Sequence, residues 1–454
     1  MNLLTRKSLK RLFGTLAFFA LAAVMTGGPG GFGVPAYTGV HASYLEPVSY
    51  FGIFRTQRWA VFLTLGVLAW LIISFYQPRA MTIRRRVKHV TDLPNRVMQR
   101  RTNRWVLIAA VIVIALILPK FVHEQFWMYL IVEQIGVWIL LALGLNVVVG
   151  FAGLLDLGFA AFYAIGAYTT AWFTGVLPTP APFHHPIPTL WCIPIAIVLA
   201  MAFGVLLGIP TLRLRGDYLA IVTLGFALII DDFVGTQSGL TGGGEGSLTT
   251  PTFSLHLGFF NYHWGINPTP YYYLCLIFVA VFLIVFTSLE YSRVGRAWVA
   301  IREDEVAAES IGINPLKYKV SAFAVGAASG GFGGVLTAGL IGNINPTLFQ
   351  YTVSVNVLVL VIFGGMGSIW GVAIGAIIVQ FVTSYLDNYQ PWGYQLQDLY
   401  MYIGALLIIM MIFRPAGILP SRRRQREIQG YETEHEGHLD EVLAGNEPEV
   451  FGPL

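Results

Sequence analysis

Polar and apolar positions in this chain fall into long blocks rather than into a short alternation. Runs of nearly uncharged residues, many close to the ~20 residues that cross a bilayer, follow one another with brief polar interruptions. They predict spans near Leu12–Met25, Trp59–Tyr76, Trp105–Leu118, Trp127–Val149, Leu155–Leu177, Leu190–Ile209, Tyr218–Gly235, Tyr271–Leu289, Val320–Ile341, Thr352–Phe363, Gly371–Leu386 and Leu399–Phe413. The expected fold class is all-α: a polytopic membrane helix bundle of about 10 to 12 transmembrane helices. One polar interruption stands apart. Tyr291–Lys319 is long, densely charged and helix-forming, with oily runs on both sides.

Within that segment Arg302, Glu303, Asp304 and Glu305 lead into Val306, Ala307, Ala308 and Ile311, and the run stops at Gly312, Asn314 and Pro315. Acids suit the positive end of a helix dipole, glycine supplies a left-handed cap, and proline blocks continuation. This reads as a short amphipathic helix at the water boundary, where a soluble partner could grip it.

Composition agrees with the block pattern. The chain has 56% hydrophobic and 11% charged residues, too apolar for a soluble protein of 454 residues. Glycine, at 49 positions, fits spans that pack through small faces, since lipid gives helices no hydrophobic reason to associate. The net charge of +4 matters less than where the charges lie. Arg84, Arg85, Arg86, Lys88, Arg96, Arg100, Arg101 and Arg104 form a basic cluster that the positive-inside rule makes cytoplasmic. Alternation then places Arg213, Arg215, the Tyr291–Lys319 segment and Arg422–Arg426 on the same side. The segments expected outside, Pro178–Thr189, Thr236–Pro270, Gly342–Tyr351 and Asp387–Asp398, contain no Lys or Arg. Both termini are therefore expected in the cytoplasm, in a cell (inner) membrane. The first run, behind Arg6, Lys7, Lys10 and Arg11, is either a retained anchor or a cleaved signal. The acidic stretch from Glu427 onward reads as a disordered tail.

The residues offer little catalytic chemistry. No Gly-Lys dipeptide occurs, so the phosphate-gripping P-loop is missing. His184, His185, His435 and His438 lie in polar segments without an HExxH helix, and no GxSxG elbow appears. Cys192 and Cys275 each sit in an apolar run, which predicts burial and neither a disulfide nor a metal. The expectation is a non-enzyme without a cofactor. Glu133, Asp156, Asp231 and Asp232 are acids in or near spans; each is either structural or part of a solute path. Gly326, Gly330 and Gly334 recur at every fourth residue and leave one helix face bare, for close helix packing or for a translocation path. FGGMGSIWG, Phe363–Gly371, breaks two apolar runs, either as a turn or as irregular backbone lining a cavity.

Taken together, GLNVVVGFAG (Gly144–Gly153), AAFYAIGAY (Ala160–Tyr168), LRLRGDYLAIVTLGFA (Leu212–Ala227), LTGGGEG (Leu240–Gly246), the charged segment and FGGMGSIWG resemble the membrane permeases of branched-chain amino-acid ABC importers, of LivM type. The resemblance runs from Val132 to Pro420 and departs at Leu155–Phe159, where Asp156 and Phe159 stand in place of the family's common Ser and His. It implies a permease working with two cytoplasmic ABC ATPase subunits, a second permease subunit and an extracytoplasmic solute-binding protein, in a lipid bilayer and without nucleic acid. Arg302, Glu303, Asp304, Glu305, Ala307, Ala308 and Gly312 would be the coupling helix to the ATPase. Thr241, Gly242, Gly243 and Glu245 are a candidate contact loop for the binding protein. Urea and short-chain amide permeases are closely similar, and an ion-driven secondary transporter is the alternative from another class. The expected organisation is an N-terminal extension over residues 1–104, a permease domain over 105–420 and a cytoplasmic tail over 421–454.

Overall fold

A computed structural model describes residues 115–120, 125–181, 186–212, 217–247, 250, 252–257, 260–264 and 268–389, with 404, 408 and 417–419. The expected spans Leu12–Met25, Trp59–Tyr76 and Leu399–Phe413, most of Trp105–Leu118, the basic cluster, Arg213, Arg215, the four histidines named above and the tail lie outside the described residues, apart from isolated positions in and after the last span. What is described is a helical membrane bundle. Among the described residues six helices are long and apolar enough to cross a bilayer.

The first, α1 (Trp127–Phe151), is the most enclosed. It is α-helical only in part: Leu130–Val137 and Asn146–Phe151 are wound as π-helix, which widens the turn. An irregular segment, residues 152–158, leads to α2 (Phe159–Phe173). Three further helices are α3 (Thr189–Thr211), α4 (Asp217–Thr236) and, after a short α5 (Ser238–Thr241) and a hairpin, α6 (Pro268–Tyr291). The hairpin pairs β1 (Ser254–Leu257) with β2 (Phe260–His263) in antiparallel register, Leu255 opposite Tyr262. Then come α7 (Arg293–Glu303), α8 (Glu305–Ser310), α9 (Pro315–Ile341), α10 (Tyr351–Gly364) and α11 (Ile369–Tyr389). The span expected from Leu155 begins later, at Phe159, because residues 152–158 are not helical. Conversely α9 starts at Pro315 rather than Val320: Asn314 accepts from the Lys317 N–H at 3.1 Å, and Pro315 takes the first helical position, where its missing N–H costs nothing.

α9 is the axis of the bundle, buried along most of its length and packed against α3, α2 and α1. Its glycines set how close those helices come. A Cβ on Gly334 would lie 2.2 Å from the Tyr163 carbonyl oxygen, and one on Gly166 only 2.0 Å from that of Gly331, so α2 and α9 meet backbone to backbone. Gly330 faces Phe162, Gly331 faces Ala196 and Ala200 on α3, and Gly326 faces Val148 on α1. With dispersion as the main attraction between helices in lipid, such contact is the available source of cohesion. Short polar ties cross the same surfaces: the Tyr163 and Thr337 hydroxyls are 2.7 Å apart, and Ser329 donates to the Leu140 carbonyl at 2.6 Å.

The connections sort to two ends. At one, the Ser247 N–H donates to the Ile344 carbonyl at 2.8 Å, that of Thr250 to Gly342 at 2.8 Å, and the Thr179 hydroxyl to Leu240 at 3.3 Å. These segments, without Lys or Arg, therefore form one cap. At the far end of α9 lie residues 152–158, α7, α8, the 365–368 turn and residues 417–419, whose Ile418 and Leu419 N–H groups donate to Phe363 and Gly364.

Candidate coupling site

The site begins with α7. Ser292 caps it by accepting from the Gly295 N–H at 3.1 Å, and its apolar side, Ala297, Trp298 and Ile301, is buried. Trp298 is the anchor: its indole N–H donates to the Tyr318 carbonyl at 2.8 Å and reaches the Ser321 hydroxyl at 3.1 Å, tying α7 to the first turns of α9. The sequence suggests one helix from Arg302 onward; the structure breaks it at Asp304. There the backbone is extended (φ −154°, ψ 111°), and the Asp304 carboxylate accepts from the N–H groups of Val306 and Ala307 at 2.9 and 3.0 Å. Asp304 is thus the N-cap of α8, while Arg302 and Glu303 end the helix before it.

α8 is a single capped turn held off the bundle. Ala308 is buried and seats it, whereas Glu305, Ala307 and Glu309 are exposed. Val306 and Ile311 are 76% and 74% exposed, large apolar side chains in water on either side of the turn. Glu305 pairs with Lys319 on α9 at 2.7 Å, a brace across the segment. Gly312 closes α8 at φ +89°, a conformation that costs an L-residue with a Cβ, and a Cβ there would meet nothing within 4 Å. Its need for glycine is conformational rather than steric.

Arg302 does not share the outward direction of its neighbours. Its guanidinium turns inward, Nη1 donating to the Gly150 carbonyl in the last π-helical stretch of α1. No sequence signal separates it from Glu303, since that direction depends on where α1 ends in space.

The remaining candidates are spread out. Asp156 is fully buried in the 152–158 segment; Oδ1 accepts from the Gly158 N–H at 2.8 Å, and Oδ2 has no hydrogen-bond partner. Next to it the Leu157 N–H donates to Thr223 of α4 at 3.1 Å, and that of Ala160, in the first turn of α2, to Ser354 of α10 at 2.7 Å. Gly326, Gly330 and Gly334 lie at helix contacts. In the opposite cap, Thr241 is buried, its hydroxyl donating to Val234 and Gln237, and Gly243 is buried too. Gly242 stands at φ +85°, and Glu245 is exposed. Thr241 and Gly242 therefore shape that loop, and Glu245 is its presented side chain. Sequence reading missed a grouping there: Asp231, Asp232 and Thr236 of α4 line, with Thr347 and Gln350, an open cleft of about 460 Å³. Glu133 lies in the first π-helical stretch of α1.

Over residues 128–413 the chain matches the family described as branched-chain amino acid transport system / permease component. It belongs to that family. The permease is 38% identical over 312 residues to the high-affinity branched-chain amino acid transport system permease protein LivM of Escherichia coli, covering 64% of this chain and 70% of that protein. It is 34% identical over 381 residues to LivM of Salmonella typhimurium, covering 79% and 85%. Against the permease protein LivH of E. coli it is 28% identical over 294 residues, covering 62% and 90%. No solved structure matches. Family and fold together make the chain a multi-pass membrane permease of the ABC-importer class.

Proposed function

We propose that this permease carries a branched-chain amino acid inward across the cell membrane, driven by two ABC ATPase subunits, one of which docks on α8, and paired with a second permease subunit and an extracytoplasmic binding protein. The carrying observation is α8 itself. A capped turn that exposes Val306 and Ile311 while Trp298 and Ala308 fix it to the bundle is a rigid apolar plug, the shape a soluble partner's cleft can hold. Hydrolysis falls to the partners. The end bearing α8 would be cytoplasmic, as its charges favour, with the Lys- and Arg-free cap outside. There Asp231 and Asp232 give the open cleft a negative field that suits an incoming ammonium group. That E. coli has both a LivM and a LivH of this similarity supports pairing with a second permease chain. The permease domain would span 105–420, with flanking extensions at 1–104 and 421–454.

The test is a pull-down from detergent of the native chain beside a Val306→Glu, Ile311→Glu double variant. Recovery of an ATPase that the variant loses, while its gel-filtration profile is unchanged, is the expected result. Failure of any ATPase to copurify with the native chain would overturn the reading and favour ion-driven transport. Uptake of leucine into vesicles, competed with valine, urea and acetamide, separates the amino-acid reading from the amide one.

A further inference from the structure

Arg302 sits where four segments of the chain meet. Two glycines make room for it, and a third supplies its acceptor. A Cβ on Gly153, which has φ +71°, would lie 2.6 Å from Arg302 Cγ; one on Gly367, at φ +78°, would lie 3.3 Å from its Nη1; and Gly150 supplies the accepting carbonyl. Gly150 could carry no side chain either, because a Cβ there would fall 2.0 Å from Asn146 Oδ1 and 2.5 Å from the Gly367 nitrogen. Asn146 completes the knot: fully buried, it accepts from the Gly367 N–H at 2.9 Å and so ties the 365–368 turn to α1. The bound carbonyl belongs to the π-helical end of α1, two residues before the irregular segment that carries Asp156. A π-helical stretch is wider than an α-turn and is one of the few places where a membrane helix can rewind without breaking its hydrogen bonding altogether.

The arrangement therefore has a direction. α7 and α8 are fixed to α9 by Trp298, and a polar link from this pair into α1, beside the α10–α11 turn, runs through the Arg302 guanidinium in its glycine slot. A charged donor on a neutral carbonyl is roughly twice as strong as a neutral pair, and the glycine slot holds this one in place. We propose that Arg302 is a positioning residue for coupling: it transmits displacement of α8 to the end of α1 and, through Gly367, to α10 and α11, so that ATP use and solute movement stay in step. The proposal rests on the reading of α8 as the ATPase dock. It differs from that reading in what it assigns to Arg302, which would grip no partner and act from beneath the docking surface.

The experiment is reconstitution of the complete transporter in proteoliposomes, with its ATPase, second permease and binding protein, measuring solute moved per ATP hydrolysed for the native chain, Arg302→Met and Arg302→Lys. Arg302→Met keeps the length and the apolar stem but removes the donors; it should still copurify with the ATPase, and the solute-to-ATP ratio should fall roughly tenfold, the scale set by loss of one charged hydrogen bond. Arg302→Lys, which retains a charged donor, should recover most of the ratio. A role confined to stability would lower both rates together and leave the ratio alone, which refutes the proposal. Loss of the ATPase from the Arg302→Met complex refutes it as well, by making Arg302 part of the dock. If the native chain recruits no ATPase, the functional reading fails first and independently. Should Arg302→Met fail to accumulate, Arg302→Lys and Arg302→Gln provide the comparison, with the ratio expected to fall further for the neutral Gln; equal ratios for both variants and the native chain would refute the proposal.

Discussion

Replacing Gly334 by alanine tests the claim that α2 and α9 are held together by bare backbone contact. The new methyl would sit 2.2 Å from the Tyr163 carbonyl oxygen and 2.6 Å from the Ala167 nitrogen, against about 3.4 Å for ordinary contact. Both obstacles are backbone, so no side-chain rotation relieves them, and the helices must part by about 1 Å. Overpacking of this kind costs about 1–3 kcal/mol, and parting also stretches the 2.7 Å Tyr163–Thr337 hydroxyl contact, worth about 1 kcal/mol. Alanine's better helix propensity returns about 1 kcal/mol. The control is Gly225→Ala on α4, where a Cβ meets nothing within 4 Å and only the propensity gain remains. The propensity gain cancels between the two, which leaves about 2–4 kcal/mol, and at about 2–4 °C per kcal/mol the variants should differ by about 4–16 °C in thermal unfolding, with Gly334→Ala the lower. The assay is loss of the monodisperse gel-filtration peak after heating the detergent-solubilised chain. If both variants unfold within about 1 °C of each other, the backbone-contact account of this bundle is wrong.

Three further outcomes follow from single side chains. Asp304→Ala removes both cap bonds of α8 and should cost that turn about 1 kcal/mol, seen as faster hydrogen exchange at residues 305–312 with the bundle's unfolding temperature unchanged; unchanged exchange would show that α8 does not need its cap. Asp156→Asn keeps an acceptor for the Gly158 N–H and should be tolerated, whereas Asp156→Ala strands that donor in a buried segment and should cost about 1–3 kcal/mol in a thermal-unfolding assay of the solubilised chain; equal stability of the two would show that the bond to Gly158 contributes nothing. A double-mutant cycle on Glu305 and Lys319 should return a coupling of about 0.2–1 kcal/mol, because Glu305 is half exposed and water screens the pair, and a larger value would mean the brace is drier than its geometry indicates.

Much of this protein was legible without coordinates because it is local. Bilayer thickness dictates the length of an apolar run, so Trp127–Val149 and Tyr271–Leu289 announce α1 and α6 within a few residues. The end of α8 is local too: Gly312 takes a backbone angle that other residues resist, and Asn314 and Pro315 open the next helix. The absence of Lys and Arg from certain loops marked those that the fold gathers into one cap. The spacing of Gly326, Gly330 and Gly334 drew a bare face on α9.

Tertiary structure decided what those features touch. A four-residue spacing cannot say whether a bare face meets a helix or a path, and here the backbones of α2 and α9 close on it. Asp304 looked like one acid among three, yet a break in the backbone made it a cap. Arg302 looked like its outward neighbours, yet it reaches Gly150, 152 positions earlier, in a slot completed by Gly367, which is tied to an asparagine 221 positions away. No local propensity encodes a partner at that separation. Hydropathy acts residue by residue along the chain and determines where it crosses the membrane. The direction of a charged side chain is a global outcome, determined by which carbonyl and which glycines packing has already brought within its reach.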